Sequence, residues 1–442
     1  MRSDGGREAI VVVIGGAAAS AVGTGATMHH FAPDGSSDRP APDARTGLWL
    51  VGARGSVATT AALGLAVIAD GRAEPTGCVT AGEPFASAPL PAFGDLVVGG
   101  HDISDVSMVK RAELLVEAGM IAPRLLTAAH AALERADAEV RPGYSAHPAE
   151  GTARESQQAA AERLAADIVD FRERHGLARV VVVDLVSTEP LPEPAPELSD
   201  RDLLRAALAD PERAVLPPSS VTAYAALLAG APFAEFTPSA SMHLPVLLEL
   251  AEERGVPVAG QDGKTGQTWL RTILAPAFGA RGLRVLSWAG ANLLGGGDGA
   301  TLADPQAVQS KLVSKSRGLQ DLTGSDVTPL HIDNVPDLGD IKVAWDHVHV
   351  EGFLGSRLTL QTTWSAYDSM LAAPLVLDLA RLLALADAAG YAGPVPELGF
   401  FFKDPWGSGV HDFAAQTVAL SDWVRAATAR VGGDATAAAD RS

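Results

Sequence analysis

The sequence predicts an α/β protein built on a Rossmann-like, doubly wound parallel sheet. Three observations predict it. Short apolar runs alternate with helical stretches along most of the chain, the pattern of parallel strands joined by crossover helices. The first of these strands runs into a glycine turn that opens a helix of small residues. With 442 residues, 47% hydrophobic and 20% charged, the chain has a globular balance and room for two or three domains, or one large α/β domain with an insertion.

Composition narrows the function. Lys and Arg number 34 against 53 Asp and Glu, a net charge of −19 that repels phosphate backbones, so no nucleic-acid partner is expected. The one cysteine, Cys78, forbids an internal disulfide framework and fits a reducing cytoplasm. No apolar run reaches the roughly 18 residues of a membrane helix, so no membrane partner is expected. Only six of the 34 cations are lysines: Lys110, Lys264, Lys311, Lys315, Lys342 and Lys403. Where arginine is the default cation, a lysine marks a place that needs a compact ammonium able to give up its proton. Five of the six fall on motif-like segments.

The elements follow in order. Residues 10–14 are apolar and lead to Gly15 and Gly16, superficially like a secretion signal. The basic start is cancelled, however, by Asp4 and Glu8 against Arg2 and Arg7. Pro, Asp, Ser and Gly crowd 31–46, so residues 1–45 are expected to be a disordered extension. Residues 47–51 then form a buried strand. Gly52-Ala53-Arg54-Gly55-Ser56-Val57-Ala58 is a G-x-x-G-x-x-A turn before a helix from 59 to about 69. Such a turn brings backbone close to a pyrophosphate and aims a helix N-terminus at it; a tight turn with no ligand has the same pattern. A second strand, 96–100, ends in Gly99-Gly100-His101-Asp102, and helical stretches follow near 107–118, 122–138 and 151–175. The apolar run 179–186 reads as a central parallel strand and closes on Ser187-Thr188-Glu189. A proline-rich loop, 190–199, precedes helices near 200–209, 220–229 and 244–254, the last with Pro245 in its first turn and Gly255 as its stop.

A short strand at 256–260 enters Gln261-Asp262-Gly263-Lys264-Thr265-Gly266-Gln267-Thr268, which opens a helix to about 277. This second glycine turn, carrying a lysine, suits a substrate phosphate. A strand at 284–288 leads to Asn292-Leu293-Leu294-Gly295-Gly296-Gly297-Asp298-Gly299, where clustered glycines allow close backbone approach to a ligand or simply make a loose turn. On a helix, Lys311 and Lys315 would stack one turn apart, a repulsion that a shared anion relieves. Lys342 and Lys403 stand in apolar surroundings that would lower an ammonium pKa, unless each pairs with its neighbouring Asp. His347 with His349, and His331 with Asp333, share strand faces, but nothing completes a ligand set, so no protein-held metal is expected.

The segments 262–268, 292–299, 310–316, 339–346, 368–374 and 400–405 resemble, in order and spacing, the signature blocks of the myo-inositol phosphate synthase family. The similarity runs from about residue 47 to about residue 406. It implies an isomerase that cyclises a hexose 6-phosphate with a tightly held NAD, reduced and reoxidised in one turnover. Glucose 6-phosphate giving myo-inositol 3-phosphate, on the way to inositol and phospholipid, is the leading expectation. It also implies a cytoplasmic homotetramer, with an NAD domain at 46–262 and 375–442 and an inserted α+β catalytic and tetramerisation domain at 263–374. By this resemblance Lys311, Lys315, Lys342 and Lys403, with Asp262, Asp298 and Asp368, are the catalytic set. NAD contacts are expected at Gly52, Ala53, Arg54, Gly55, Ser56, Val57, Asp102, Ser187, Thr188 and Asp340. Substrate contacts are expected at Lys264, Thr265, Gly266, Gln267, Thr268, Asn292, Leu294 and Gly296.

The chain departs from the family pattern where Asn-His-Leu-Gly-Asn-Asn-Asp-Gly is usual, at 292–299, where Ser187 replaces an Asn, and across 235–241. Lost hydroxyl-recognising groups bear on which sugar phosphate fits. Closure of fructose 6-phosphate to a five-membered carbocycle is the alternative within the family. An oxidoreductase releasing NADH, or an inactive NAD-binding scaffold, is the alternative outside it.

Overall fold

The computed structural model describes residues 29–32, 39–146, 155–295, 322 and 330–439. Its strands are β1 (His30–Phe31), β2 (Thr46–Val51), β3 (Leu96–Asp102), β4 (Val140–Pro142), β5 (Arg179–Asp184), β6 (Phe233–Glu235), β7 (Pro257–Ala259), β8 (Arg284–Leu294), β9 (Leu330–Asn334), β10 (Ile341–Glu351), β11 (Arg357–Tyr367) and β12 (Tyr391–Pro394). Its main helices are α1 (Ser56–Ala69), α2 (Met108–Glu117), α3 (Pro123–Ala138), α4 (Gln157–Arg174), α5 (Arg201–Leu208), α6 (Pro218–Leu228), α7 (Pro245–Arg254), α8 (Gln267–Ala280), α9 (Asp368–Ala388) and α10 (Phe413–Ala439).

The larger sheet has the order β1-β12-β7-β6-β5-β2-β3-β4, parallel throughout except for β1. β5 lies near its centre and is buried along its length. Val181 and Val183 enter one core with α1 and α9, while Val180 and Val182 enter the other with α4, α6 and α7. A strand covered on both faces has no polar side, which is why 179–186 reads as a continuous apolar run. Because ligands of such sheets bind beyond the carboxyl ends of the strands, the turns after β2, β5, β6 and β7 are where the site forms.

The second sheet has the order β11-β10-β8-β9, with β10 antiparallel to both neighbours. β8 continues to Leu294, beyond the expected 284–288. Its second half, Ala289-Gly290-Ala291-Asn292, lacks the β-branched residues that signal a strand, and its pairing with β10 holds it extended instead.

α9 returns the chain to the larger sheet. It is long and apolar enough to cross a membrane by length and composition, yet 78% of its apolar window is buried inside the protein. Asp378 and Arg381 hide that run in the sequence, and both are satisfied internally. Asp378 accepts Val79 N at 2.8 Å and Thr80 N at 3.1 Å, and Arg381 Nε donates to Pro91 O at 2.8 Å.

The described part of the lead-in is tied down, contrary to the expectation of disorder there. β1 pairs with β12, and Arg39 Nη1 donates to Asp387 O at 2.8 Å. Arg179 clasps Pro40 O, Ala41 O and the Asp387 carboxylate. Residues 1–28 and 33–38 lie outside the described residues.

Gly100 shows how tightly β2 and β3 approach. A Cβ there would lie 2.1 Å from Leu50 O and 2.7 Å from Ala53 Cβ. Gly100→Ala is therefore expected to destabilise by about 1–3 kcal/mol and to loosen the glycine turn after β2; urea unfolding reads the first effect and titration with the expected dinucleotide the second.

Candidate active site

The site begins where β2 ends. Gly52 takes a φ of +77°, and Gly52 N and Ala53 N both donate to His101 O, at 2.9 and 3.1 Å, folding the turn over the end of β3. A Cβ on Gly52 would lie 3.3 Å from the Leu185 carbonyl, and one on Gly55 would lie 3.1 Å from Gly52 O. No side chain caps α1, so its first N–H groups are available to an anion.

Asp102, at the end of β3, accepts Arg54 N at 2.6 Å and Ser104 N at 2.7 Å. The Arg54 guanidinium is held by Asp137 at 2.9 Å and by Ser104 O at 2.7 Å. Around this turn lies a cavity of about 930 Å³ whose walls include Gly52, Arg54, Gly55, Asp102, Tyr144 and Ser187. Glycines without room for a side chain, an uncapped helix N-terminus and a cavity of this size fit a dinucleotide.

A second cavity, about 360 Å³, shares Gly52, Gly55, Arg111 and residues 185–188 with the first and ends among charged side chains. Ser56, Val57 and Asp340 line it, as do Thr265, Leu294, Asp262, Asp368, Lys342 and Lys403. Lys403 Nζ lies 2.6 Å from Asp262 Oδ1, both residues being buried. Lys342 Nζ lies 3.2 Å from Asp368 Oδ2, and Thr265 Oγ1 donates to Asp368 Oδ1 at 2.9 Å. Each lysine meets an acid distant in sequence, 141 and 26 positions away. Asp340, hydrogen-bonded to Ser369 Oγ at 3.3 Å, is pushed above its ordinary pKa by burial.

Backbone places the first pair. Asp262 has a φ of +61°, unusual for a residue with a side chain. Its N donates to Thr237 O at 3.1 Å and its O accepts Lys403 N at 2.8 Å. Gly263 N donates to Phe236 O at 2.9 Å and Lys264 N to Phe401 O at 2.8 Å, closing the segment against both neighbouring loops.

Several expected residues are placed elsewhere. Lys264 does not line the cavity: its ammonium meets Gln416 Oε1 and lies 5.6 Å from the centre of the Phe413 ring. Burial pushes its pKa down to about 7. Gly266, Gln267, Thr268 and Asn292 also lie off both cavities. Gln267 Nε2 donates to Asp346 Oδ2 at 2.8 Å, and Asn292 Nδ2 donates to Gln267 Oε1 at 2.9 Å. Ala53 is buried beneath the turn and contributes its backbone N–H. Lys311, Lys315, Asp298 and Gly296 lie outside the described residues. Among the described residues no group of three or more His, Cys, Asp or Glu could hold a metal.

Arg111 is not among the expected site residues; its Nε donates to Arg54 O at 3.1 Å and it lines both cavities. A second residue outside the expected site set is Asp346, a buried acid beside Ala344 and Val348 on the face of β10 that Lys342 also occupies. An acid at a position whose alternate neighbours are Ala344 and Val348 was the available signal.

A model of the myo-inositol-1-phosphate synthase family matches residues 46–425. The chain is 32% identical over 399 residues to inositol-3-phosphate synthase 1 of Bacteroides thetaiotaomicron, covering 84% of this chain and 91% of that protein. It is 34% identical over 365 residues to inositol-3-phosphate synthase 1 of Bos taurus, covering 73% of this chain and 62% of that one. The fold matches the crystal structure of inositol-3-phosphate synthase from Caenorhabditis elegans with a TM-score of 0.76, at 25% identity over 87% of this chain and 86% of that chain. A myo-inositol-1-phosphate synthase-related protein from Thermotoga maritima matches with a TM-score of 0.69, also at 25% identity, over 86% of this chain and 98% of that chain.

Proposed function

The chain belongs to the myo-inositol-1-phosphate synthase family, and from that premise we propose that it cyclises glucose 6-phosphate to myo-inositol 3-phosphate. The enzyme is an intramolecular isomerase that depends on NAD. The observation that carries the substrate reading is the pair of lysine–carboxylate contacts, Lys403–Asp262 and Lys342–Asp368, on one cavity that shares the glycine turn.

Bound NAD supplies a hydride acceptor that returns the hydride before the product leaves. A ketone at C5 acidifies the C6 protons; loss of one gives an enolate whose C6 attacks the C1 aldehyde and closes the ring. Negative charge thus develops at the C5 oxygen and then at the C1 oxygen. Fixed ammonium groups in a cavity stabilise such charge without reorganising. In this proposal Lys403, oriented by Asp262, stabilises the C5 oxygen. Lys342, braced by Asp368 and Thr265, serves the C1 oxygen or the phosphate. The proton lost at C6 and the proton gained at the C1 oxygen balance, so a lysine that takes the first and gives the second ends unchanged. Lys311, Lys315 and Asp298 complete the proposed catalytic set.

The same proposal assigns 46–262 and 375–442 to cofactor binding and 263–374 to catalysis and assembly as a cytoplasmic homotetramer. Exposed Trp345, Phe353, Leu354 and Leu358 on and beside the second sheet support an assembly contact there.

The test is turnover with sub-stoichiometric NAD, glucose 6-phosphate and fructose 6-phosphate in parallel, and products identified by mass and NMR. Many turnovers of glucose 6-phosphate to a cyclic isomer, without NADH build-up, are expected. Conversion of fructose 6-phosphate alone, or NADH accumulating with product, would overturn the substrate reading.

A further inference from the structure

Two carboxyl groups that this chemistry leaves unused are buried completely, side by side. Asp184 ends β5 and Glu235 ends β6; the strands are parallel neighbours, and these two residues are register partners. Both are 0% exposed. They share a sheet face, since Val182 and Phe233, two positions back on each strand, belong to the same core.

Each acid spends one oxygen on the loop that follows it. Asp184 Oδ1 accepts Val186 N at 3.1 Å. Glu235 Oε1 accepts Thr237 N at 2.7 Å and Thr237 Oγ1 at 2.6 Å. Asp184 Oδ2 is buried without a donor, and Glu235 Oε2 is buried with no donor in hydrogen-bonding geometry, although the Ser241 hydroxyl is close enough to favour the Glu235 carboxylate. The third acid facing them, Glu189, is committed to Ser219 at the start of α6, accepting Oγ at 2.7 Å and N at 3.2 Å. Ser241 Oγ lies beside Glu235, and no lysine or arginine acts on any of the three acids. Two completely buried acids at register-partner positions with no cation near cannot both be ionised at low cost; a proton held between them lets one donate to the other. Burial raises both groups; the Glu189 carboxylate adds to the rise at Asp184, which reaches about 8, and Asp184 adds to the rise at Glu235.

We propose that Asp184 and Glu235 share one proton between Asp184 Oδ2 and Glu235 Oε2, and that this bond positions the two loops that wall the catalytic cavity. The loop after Asp184 supplies Leu185, Val186, Ser187 and Thr188 to that cavity; the loop after Glu235 supplies Phe236, Thr237 and Pro238. The link reaches the ion pair directly. Thr237, held by Glu235, accepts Asp262 N at 3.1 Å, and Asp262 holds Lys403. The two acids are positioning residues, acting on the reaction through Asp262 and the loop backbone.

Asp184→Asn is the decisive variant. Its amide donates the same bond to Glu235 with the same net charge and has no proton to lose. The wild-type pair contributes stability that is fully present below the unfolded carboxyl range near about 4 and is lost as pH rises through the folded value of about 8. Thermal unfolding from about pH 5 to about pH 9 should therefore fall more steeply for wild type than for Asp184→Asn. Infrared spectra at neutral pH should show a protonated-carboxyl carbonyl band that Asp184→Asn removes. Wild-type turnover should decline above about pH 8, and Asp184→Asn and Glu235→Gln should flatten that decline. Asp184→Ala should lower kcat about 10- to 100-fold with a smaller change in KM.

Equal pH slopes in wild type and Asp184→Asn, or Asp184→Asn as impaired as Asp184→Ala, would overturn the shared proton. So would sodium or potassium raising the wild-type unfolding temperature but not that of Asp184→Asn, since a cation would then hold the pair. The activity readout alone rests on the cyclase reading. Unfolding and infrared differences without any cyclase turnover would leave the proton pair standing and remove the substrate proposal.

Discussion

Lys403→Met is expected to lower turnover by about 10²–10³-fold or more while leaving NAD affinity nearly unchanged. The ammonium lies in the cavity at 2.6 Å from Asp262, whereas the proposed dinucleotide cradle, the glycine turn and the uncapped start of α1, forms without it. On the proposed mechanism, removing the ammonium strips the developing oxyanion of a fixed cation; it also leaves Asp262 buried without that partner, which costs stability. The double variant Lys403→Met with Asp262→Asn separates the two effects. It should regain much of the lost stability and none of the turnover. Cofactor binding is read by fluorescence titration and turnover by product analysis. Full turnover in the single variant would make Lys403 a structural residue.

The largest effect on stability is expected at Asp346. Its carboxylate accepts Arg271 Nη2 at 2.6 Å and Nε at 3.1 Å, Trp288 Nε1 at 2.8 Å and Gln267 Nε2 at 2.8 Å. Gln267 in turn accepts Asn292 Nδ2, so one acid on β10 ties α8 to the middle of the second sheet. Gly290 makes room for this: a Cβ there would lie 2.4 Å from Arg271 Nη2. Asp346→Ala strands a buried guanidinium and should destabilise by about 3–5 kcal/mol. The double variant Asp346→Leu with Arg271→Met removes both charges and should recover most of that loss. Urea denaturation measures both, and hydrogen exchange should show the loss concentrated in β8, β10 and α8. A change below about 1 kcal/mol for Asp346→Ala would mean the network is dispensable.

The two experiments divide a set of residues that one sequence motif places together. Lys264, Thr265 and Gln267 stand within four positions, yet Thr265 braces Asp368 at the cavity, Gln267 belongs to the Asp346 network, and Lys264 turns to Gln416. A strand-to-helix turn sends successive side chains in different directions, so adjacency in sequence does not mean a shared destination.

The features legible in the residues alone are those that depend on local pattern. The apolar β2 and β5, the G-x-x-G turn and the run of small residues in α1 each state their conformation within about ten residues, because strand burial, glycine freedom and helix periodicity are short-range effects. Ordered lysine-bearing blocks likewise marked the family. Only the tertiary structure decided which acid meets which lysine, which buried polar groups serve the site and which hold the sheets. It also decided that β6, three residues ending in Glu235, is a strand at all. Those outcomes depend on partners brought together from distant segments and on the cost of burying charge, which no local window contains.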